Sequence, residues 1–212
     1  VQHRVLRLVH RVADDVVEII VHAPLAAQQF QPGCFYRLQN FETHAQSVDG
    51  TKLQTEAIAL AAYDVDKNAG TLTFMLQEVG ASSRIFARLK AGDPIAIMGP
   101  TGVRTKIPEN KQTVLIVGEQ MSIAYLRAVA PALKQAGNQV IYIGLLANKQ
   151  SLYCEAEIAE ITDARYYAFK PEGLKDLLLK IRESALKKNL KKRKKFKKIT
   201  KRINVNSIRQ VD

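Results

Sequence analysis

Alternation of apolar and polar residues dominates the first hundred positions. Val5, Leu6, Leu8, Val9 and Val12 are interleaved with Arg4, Arg7, His10 and Arg11; Asp14-Asp15 makes a turn, and Val16 to Val21 follows as a second strand. This predicts a hairpin. Pro24 to Gln31 reads as a loop, Cys34 to Phe41 as a strand, and Glu42 to Glu56 as a polar, turn-rich stretch. Ala57 to Tyr63 and Thr71 to Val79 are further strands joined by Asp66-Lys67-Asn68-Ala69-Gly70, and Pro94 to Met98 is another. About six short strands and one short helix punctuated by turn signals predict a small antiparallel barrel.

The pattern changes after Pro108. Thr113 to Val117 and Gln139 to Leu146 are continuous apolar runs. Between them Met121 to Ala136 carries Ile123, Tyr125, Leu126, Val129 and Leu133 at helical spacing, with Pro131 expected to kink the helix. Apolar strand, helix and apolar strand predict a βαβ unit on a parallel sheet. Pro171 to Leu190 reads as an amphipathic helix through Leu174, Leu177, Leu178, Ile181 and Leu186. The fold class is therefore β plus α/β. A six-stranded antiparallel β-barrel (1–108) precedes an incomplete Rossmann-like parallel α/β domain (109–170), then a helix with a basic tail (171–212).

Composition narrows the function. The 212 residues are 47% hydrophobic without a long apolar run, so no membrane span is expected, and the first residues lack the layout of a signal peptide. A start at Val1 hints at a piece of a longer chain or a processed product. Cys34 and Cys154 lie far apart, and His3, His10, His22 and His44 are scattered, so neither zinc nor an iron–sulfur cluster is expected and a reducing cytoplasmic setting is the simplest fit. The net charge of +12 suggests nucleic acid, but eleven Lys and Arg fall within 187–202; setting them aside leaves 21 basic residues against 20 acidic. The body is nearly neutral, and the tail alone invites an anion or nucleic acid.

The chemistry gathers in Gln77 to Gly102. Gly80-Ala81-Ser82-Ser83 opens a short helix, Leu89-Lys90-Ala91-Gly92-Asp93 turns, and a strand ends at Gly99-Pro100-Thr101-Gly102. A glycine and small hydroxyl residues at a helix start offer amide groups and the positive end of the dipole to a phosphate. Read alone, Gly80 and Gly92 are equally turn glycines, and Ser82 or Ser83 an N-cap.

Taken in order, G-x-x-S-x-x-F, L-K-x-G-D and G-P-x-G resemble the flavin-binding half of the ferredoxin-NADP reductase superfamily. Pro32-Gly33-Cys34-Phe35-Tyr36-Arg37-Leu38 resembles its P-G-Q-F-x-x-L strand, with Cys34 in place of Gln. The resemblance covers about residues 3 to 165. It is strongest to the electron-transfer domains of glutamate-synthase-like flavoproteins and, more distantly, to the dihydroorotate dehydrogenase electron-transfer subunit. It implies FAD and NAD(P)H as cofactors, hydride transfer from NAD(P)H to flavin, and a partner protein or fused flavoprotein domain that takes the electrons. The implied cofactor-binding residues are Tyr36, Arg37, Leu38, Ala57, Ala59, Gly80, Ser82, Ser83, Gly99, Thr101, Gly102 and Gly118; no side chain need act as acid or base.

Three departures stand beside the resemblance. Thr55-Glu56-Ala57-Ile58-Ala59-Leu60 replaces the family's R-x-Y-S motif, so flavin binding must lean on backbone around Ala57 to Ala59. Gly118-Glu119-Gln120-Met121-Ser122 keeps one glycine of the glycine-rich dinucleotide loop, where side chains fill cofactor space and Ser122 is left as a helix cap. The C-terminal units of the family are replaced by the helix and lysine tail. A degenerate relay or docking module of the same fold is the alternative function. An incomplete parallel sheet also leaves apolar surface for a partner to cover.

Overall fold

The computed structural model describes residues 3–109, 111–147, 152–169 and 171–188. They fall into two compact units, Val1–Phe169 and Lys170–Asp212. In the second, α5 spans Pro171–Lys188. Most of the basic run, 189–202, lies outside the described residues.

The first unit opens with β1 (His3–Ala13) and β2 (Val16–His22), the antiparallel hairpin expected from the alternation. Then come β3 (Phe35–Asn40), β6 (Ile58–Leu60), β7 (Ala62–Asp66), β8 (Thr71–Gln77) and β9 (Pro94–Thr101). They form one seven-stranded sheet in the order β6-β3-β9-β1-β2-β8-β7. Every pairing in it is antiparallel.

The sequence predicts a single strand over Ala57 to Tyr63, but the chain turns at Ala61 and becomes two. β6 pairs with β3 at one edge, and β7 pairs with β8 at the other. One residue separates strands at opposite ends of the order, so the sheet must roll until its edges meet. Among the described pairings no hydrogen-bonded ladder joins β6 to β7, so the expected six-stranded barrel is a seven-stranded sheet rolled around its core and not closed. Tyr36 of β3 and Phe74 of β8 meet edge to face inside it, centroids 5.7 Å apart. Val17, Ile19, Leu38, Leu72, Phe86 and Ile95 complete this core.

Two stretches read as irregular contain structure. Pro24–Gln28 is a short helix, α1, with Pro24 in its first turn, where a missing amide costs nothing, and Ala26 and Ala27 buried beneath it. Ser47–Val48 (β4) and Thr51–Lys52 (β5) make a hairpin across Asp49-Gly50. Both turn residues have positive φ, 49° and 78°, as a two-residue loop matching strand twist requires.

The parallel sheet is β10 (Thr113–Glu119), β11 (Gln139–Leu145) and β12 (Ala164–Ala168), in that order. α3 (Ser122–Gln135) crosses from β10 to β11 and runs through Pro131, which lies on its exposed face. α4 (Glu155–Ile161) leads to β12. A second core gathers Ile116, Ile123, Leu126, Val129, Leu133, Val140 and Tyr142, and it extends to Val16, Tyr63 and Met75 on the barrel. Arg127 of α3 lies 4.3 Å over the Tyr63 ring, whose hydroxyl donates to Glu18. The barrel and parallel sheet are thus joined by packing, a cation over a ring, and a charged hydrogen bond.

Candidate functional site

Period two decides what β3 offers. Tyr36 and Leu38 are fully buried, while Arg37 between them is exposed. The Tyr36 hydroxyl donates to the Ala26 carbonyl at 3.0 Å, and burial raises its pKa. Its ring is committed to the barrel interior, so Tyr36 and Leu38 present only backbone outward. Arg37 is paired across to Ala59 on β6 and to Met98 on β9. Ala59 is exposed and Met98 is 52% exposed. The result is an outward row across three strands, Ala59-Arg37-Met98: a small side chain, a cation and a flexible apolar side chain. Ala57, also exposed, lies two residues along from Ala59.

β9 extends this row into a glycine turn. Gly99 has φ 134°, and a Cβ there would lie 2.9 Å from Cδ1 of Tyr36 and 3.0 Å from the Phe35 carbonyl. Gly102, at φ 90°, is similarly closed by the Phe35 ring. Only glycine lets this turn close on β3. Thr101 and Gly102 are both exposed beyond it.

The short helix α2 (Ala81–Phe86) follows β8 and is tied to the segment ahead of β6. The two serines do different work. Ser83 is buried, and its hydroxyl accepts from the Gly80 amide at 2.9 Å and donates to the Gly80 carbonyl at 3.0 Å. It locks the helix start onto itself. Ser82 is half-exposed and accepts the Glu56 amide at 3.0 Å, which ties α2 to the residue ahead of Ala57. Gly80 itself opens on empty space, with nothing within 4 Å of a Cβ placed there. Gly80, Ser82, Ala57, Ala59, Arg37, Met98 and the turn from Gly99 to Gly102 are therefore carried by neighbouring strands and the helix tied to them.

Gly118 belongs to a different sheet, near the end of β10. A Cβ on Gly118 would come within 2.3 Å of Ser122 Cβ and 2.5 Å of its Oγ. Ser122 is not the cap expected of it. Met121 holds the cap position, and the Ser122 hydroxyl donates to the Glu119 carbonyl at 2.5 Å and shares a 2.9 Å hydrogen bond with Tyr142. The space that glycine opens in this loop is filled by serine. Tyr153, absent from the sequence expectations, closes the loop's other side by donating to the Gln120 carbonyl at 3.0 Å. Only its apolar neighbourhood near the βαβ unit could have marked it.

Neither cysteine is in a disulfide. Cys34 is buried, with its thiol 3.8 Å from the Gly102 carbonyl. The Cys154 thiol is pushed up to about 11, first by burial and then by the Glu157 charge. Among the described residues no group of His, Cys, Asp or Glu could hold a metal ion, and no helix is long and apolar enough to cross a membrane.

No family model matches the chain. Curated relatives do. An uncharacterized protein of Rickettsia prowazekii is 38% identical over 129 residues, 61% of this chain and 17% of that one. The dihydroorotate dehydrogenase B (NAD(+)) electron transfer subunit homolog of Thermotoga maritima is 30% identical over 154 residues, 72% of this chain and 50% of that one. The chain spans about half the length of the electron transfer subunits it matches. A solved structure of an NADH-dependent reduced ferredoxin-NADP oxidoreductase superposes with a TM-score of 0.66 at 27% identity, over 77% of this chain and 55% of that one. A ferredoxin NADP+ reductase from Neisseria gonorrhoeae with bound FAD and NADP superposes at 0.58 and 18% identity, over 79% and 66%. With an antiparallel barrel leading into a parallel α/β sheet, and with these matches in sequence and in space, the chain has the fold of the ferredoxin-NADP reductase-like proteins and is similar in sequence to dihydroorotate dehydrogenase electron transfer subunits.

Proposed function

We propose that the chain is an FAD-binding electron-transfer module that takes reducing equivalents from NAD(P)H and passes them to a partner protein. The observation that carries this reading is the exposed row Ala59-Arg37-Met98 running into the Gly99–Gly102 turn. A flat aromatic group fits Ala59 and Met98, and the Arg37 guanidinium suits an anionic edge or diphosphate. Ser82 is tied to Glu56, just ahead of Ala57, and Gly80 opens the same helix start onto free space. FAD supplies hydride acceptance and release of single electrons when bound. The chain's own residues bind, orient and leave one face open; none acts as acid or base. The relatives described as electron transfer subunits support a partner as electron acceptor. The two thiols outside any disulfide fit a reducing, cytoplasmic compartment. We place the working boundaries at 1–108 for the flavin domain, 109–170 for the α/β domain and 171–212 for the remainder.

One observation favours a second reading, a relay that does not itself use nicotinamide. At Gly118 the side chain of Ser122 stands where a dinucleotide backbone would approach. Thr101 and Gly102 remain exposed for a nicotinamide end, but the loop fits the rest of the dinucleotide poorly.

An absorption spectrum of the purified protein supplied with FAD, followed by anaerobic titration with NADH and NADPH, separates the readings. A flavin band that bleaches supports the reductase. A band that persists supports the relay. Folded protein that retains no flavin refutes both.

A further inference from the structure

We propose that Arg127 of α3 is a positioning residue, a latch that sets the parallel sheet against the barrel by gripping Tyr63 of β7; its role in electron transfer rests on the reductase reading above. β7 is irregular where the grip falls. Ala62 pairs with Phe74 and Asp64 with Thr73, so Tyr63 is an extra residue between them. Regular alternation would turn Asp64 back into the barrel beside Ala62. The bulge instead keeps Ala62 and Val65 on the barrel core, sends Tyr63 into the second core and leaves Asp64 exposed. Tyr63 joins Val16 and Met75 there and is 5% exposed. Its hydroxyl donates to Glu18. Burial, then the hydrogen bond and charge of Glu18, raise its pKa, so the proton stays on the phenol. The carboxylate polarises that hydroxyl and enriches the ring face, and the Arg127 guanidinium lies 4.3 Å over the ring.

The rest of that helix face is smooth. Ala124, Arg127 and Ala128 share it by spacing, and both alanines are buried. Alanines let the helix approach closely but offer nothing that hooks; Arg127 supplies the directional hold. Tyr125, on a different side of α3, shares a 2.9 Å hydrogen bond with Thr105. The two ends of the latch lead to the two halves of the candidate site. α3 starts at the loop that runs from Gly118 to Ser122. Tyr63 follows Ala59, one end of the outward row, along a single segment with the link at Ala61 between them. A shift of α3 along β7 therefore moves the dinucleotide loop relative to the row. A misplacement of about 1 Å is enough to slow a transfer step about a hundredfold.

The test starts with a double-mutant cycle on the full chain, Arg127→Met with Tyr63→Leu, read by denaturant unfolding. The expected coupling is roughly twofold to thirtyfold in the unfolding equilibrium constant, the worth of a cation on a ring. Losses that simply add overturn the latch. Should Tyr63→Leu fail to fold, Arg127→Lys decides: it keeps a cation and should be more stable than Arg127→Met, and equal stability overturns the latch. Positioning is then read with FAD bound. At saturating nicotinamide Arg127→Met should slow flavin reduction roughly tenfold or more with FAD affinity within about twofold of wild type, and Arg127→Lys should recover most of the rate. A lost contact that served stability alone would leave that rate unchanged, and an unchanged rate overturns the positioning role. A wild type that binds FAD but is reduced by neither NADH nor NADPH overturns the reductase reading and the positioning role with it, while the cycle still decides whether the latch exists.

Discussion

Gly118 and Ser122 are the sharpest place to test the packing of the α/β half. Gly118→Ala puts a methyl within 2.3 Å of Ser122 Cβ, closer than side-chain carbons approach, so the helix start or the strand end must move. Overpacking of this kind costs about 1–3 kcal/mol. The displaced Ser122 also loses its bonds to Glu119 and Tyr142, worth about 1 kcal/mol each. The expected loss is about 3–5 kcal/mol, a fall in Tm of roughly 6–20 °C for a chain of this size. Ser122→Gly alone should cost about 1–3 kcal/mol, because Tyr142, almost wholly buried, loses a partner. In the double variant the new methyl occupies the vacated space. The two losses should then combine to less than their sum, with a coupling of about 1–3 kcal/mol read from urea unfolding of all four proteins. Strict additivity would refute the reasoning, since it would mean that the side chain at 122 does not fill the space before Gly118.

Ser122→Gly should also raise NAD(P)H affinity, measured by titration, if the serine is what narrows the dinucleotide loop. Arg37→Ala should weaken FAD binding by about 1.5–3 kcal/mol, the worth of a hydrogen bond to a charged group, while leaving the stability of the FAD-free protein within about 0.5 kcal/mol of wild type; fluorescence titration and denaturant unfolding check the two halves. Arg127→Ala should cost about 0.5–2 kcal/mol in denaturant unfolding through loss of the contact with Tyr63. Burial works to raise the Glu155 pKa, but its 2.7 Å bond from Arg165 and that charge hold it below 4.5. A lowered folded value adds stability above the unfolded pKa and loses it as pH falls through the folded one. Arg165→Ala should therefore flatten the decline of Tm with pH below 4.5. Cys154, with its thiol raised to about 11, should react with iodoacetamide at pH 7.5 far more slowly than free cysteine.

The parts of the fold written in periodicity were legible. Thr113 to Val117 and Gln139 to Leu146 are apolar runs, and they became β10 and β11 with the helix between them. β12 was not legible, because Arg165, Tyr166 and Tyr167 break the apolar run; long-range bonds such as Asp163 to the Val140 amide at 2.7 Å position it. Helix α1 was hidden because Pro24 reads as a loop signal, yet the first turn tolerates it. At the candidate site, alternation foretells that Arg37 points opposite to Tyr36 and Leu38. It cannot say which side is the core; the hydrogen bond from Tyr36 to Ala26 does. Ser82 and Ser83 look interchangeable as letters, and only the fold gives one to its own helix and the other to Glu56. Ser122 reads as a cap by position, but its hydroxyl serves the Glu119 carbonyl and Tyr142, and the second partner is twenty residues away.

The single residue between β6 and β7 ties the two edges of the rolled sheet together at one point of the chain. A hydrogen-bonded seam holds two edges along their whole length, whereas this one is tied covalently only between Leu60 and Ala62 and relies on the packed interior beyond that point. Lengthening that link would slacken the ring and let β6 drift from β7. Ala59, which rides on β6, would drift with it, so the width of the outward row is gauged by a single alanine on the far side of the strand it serves.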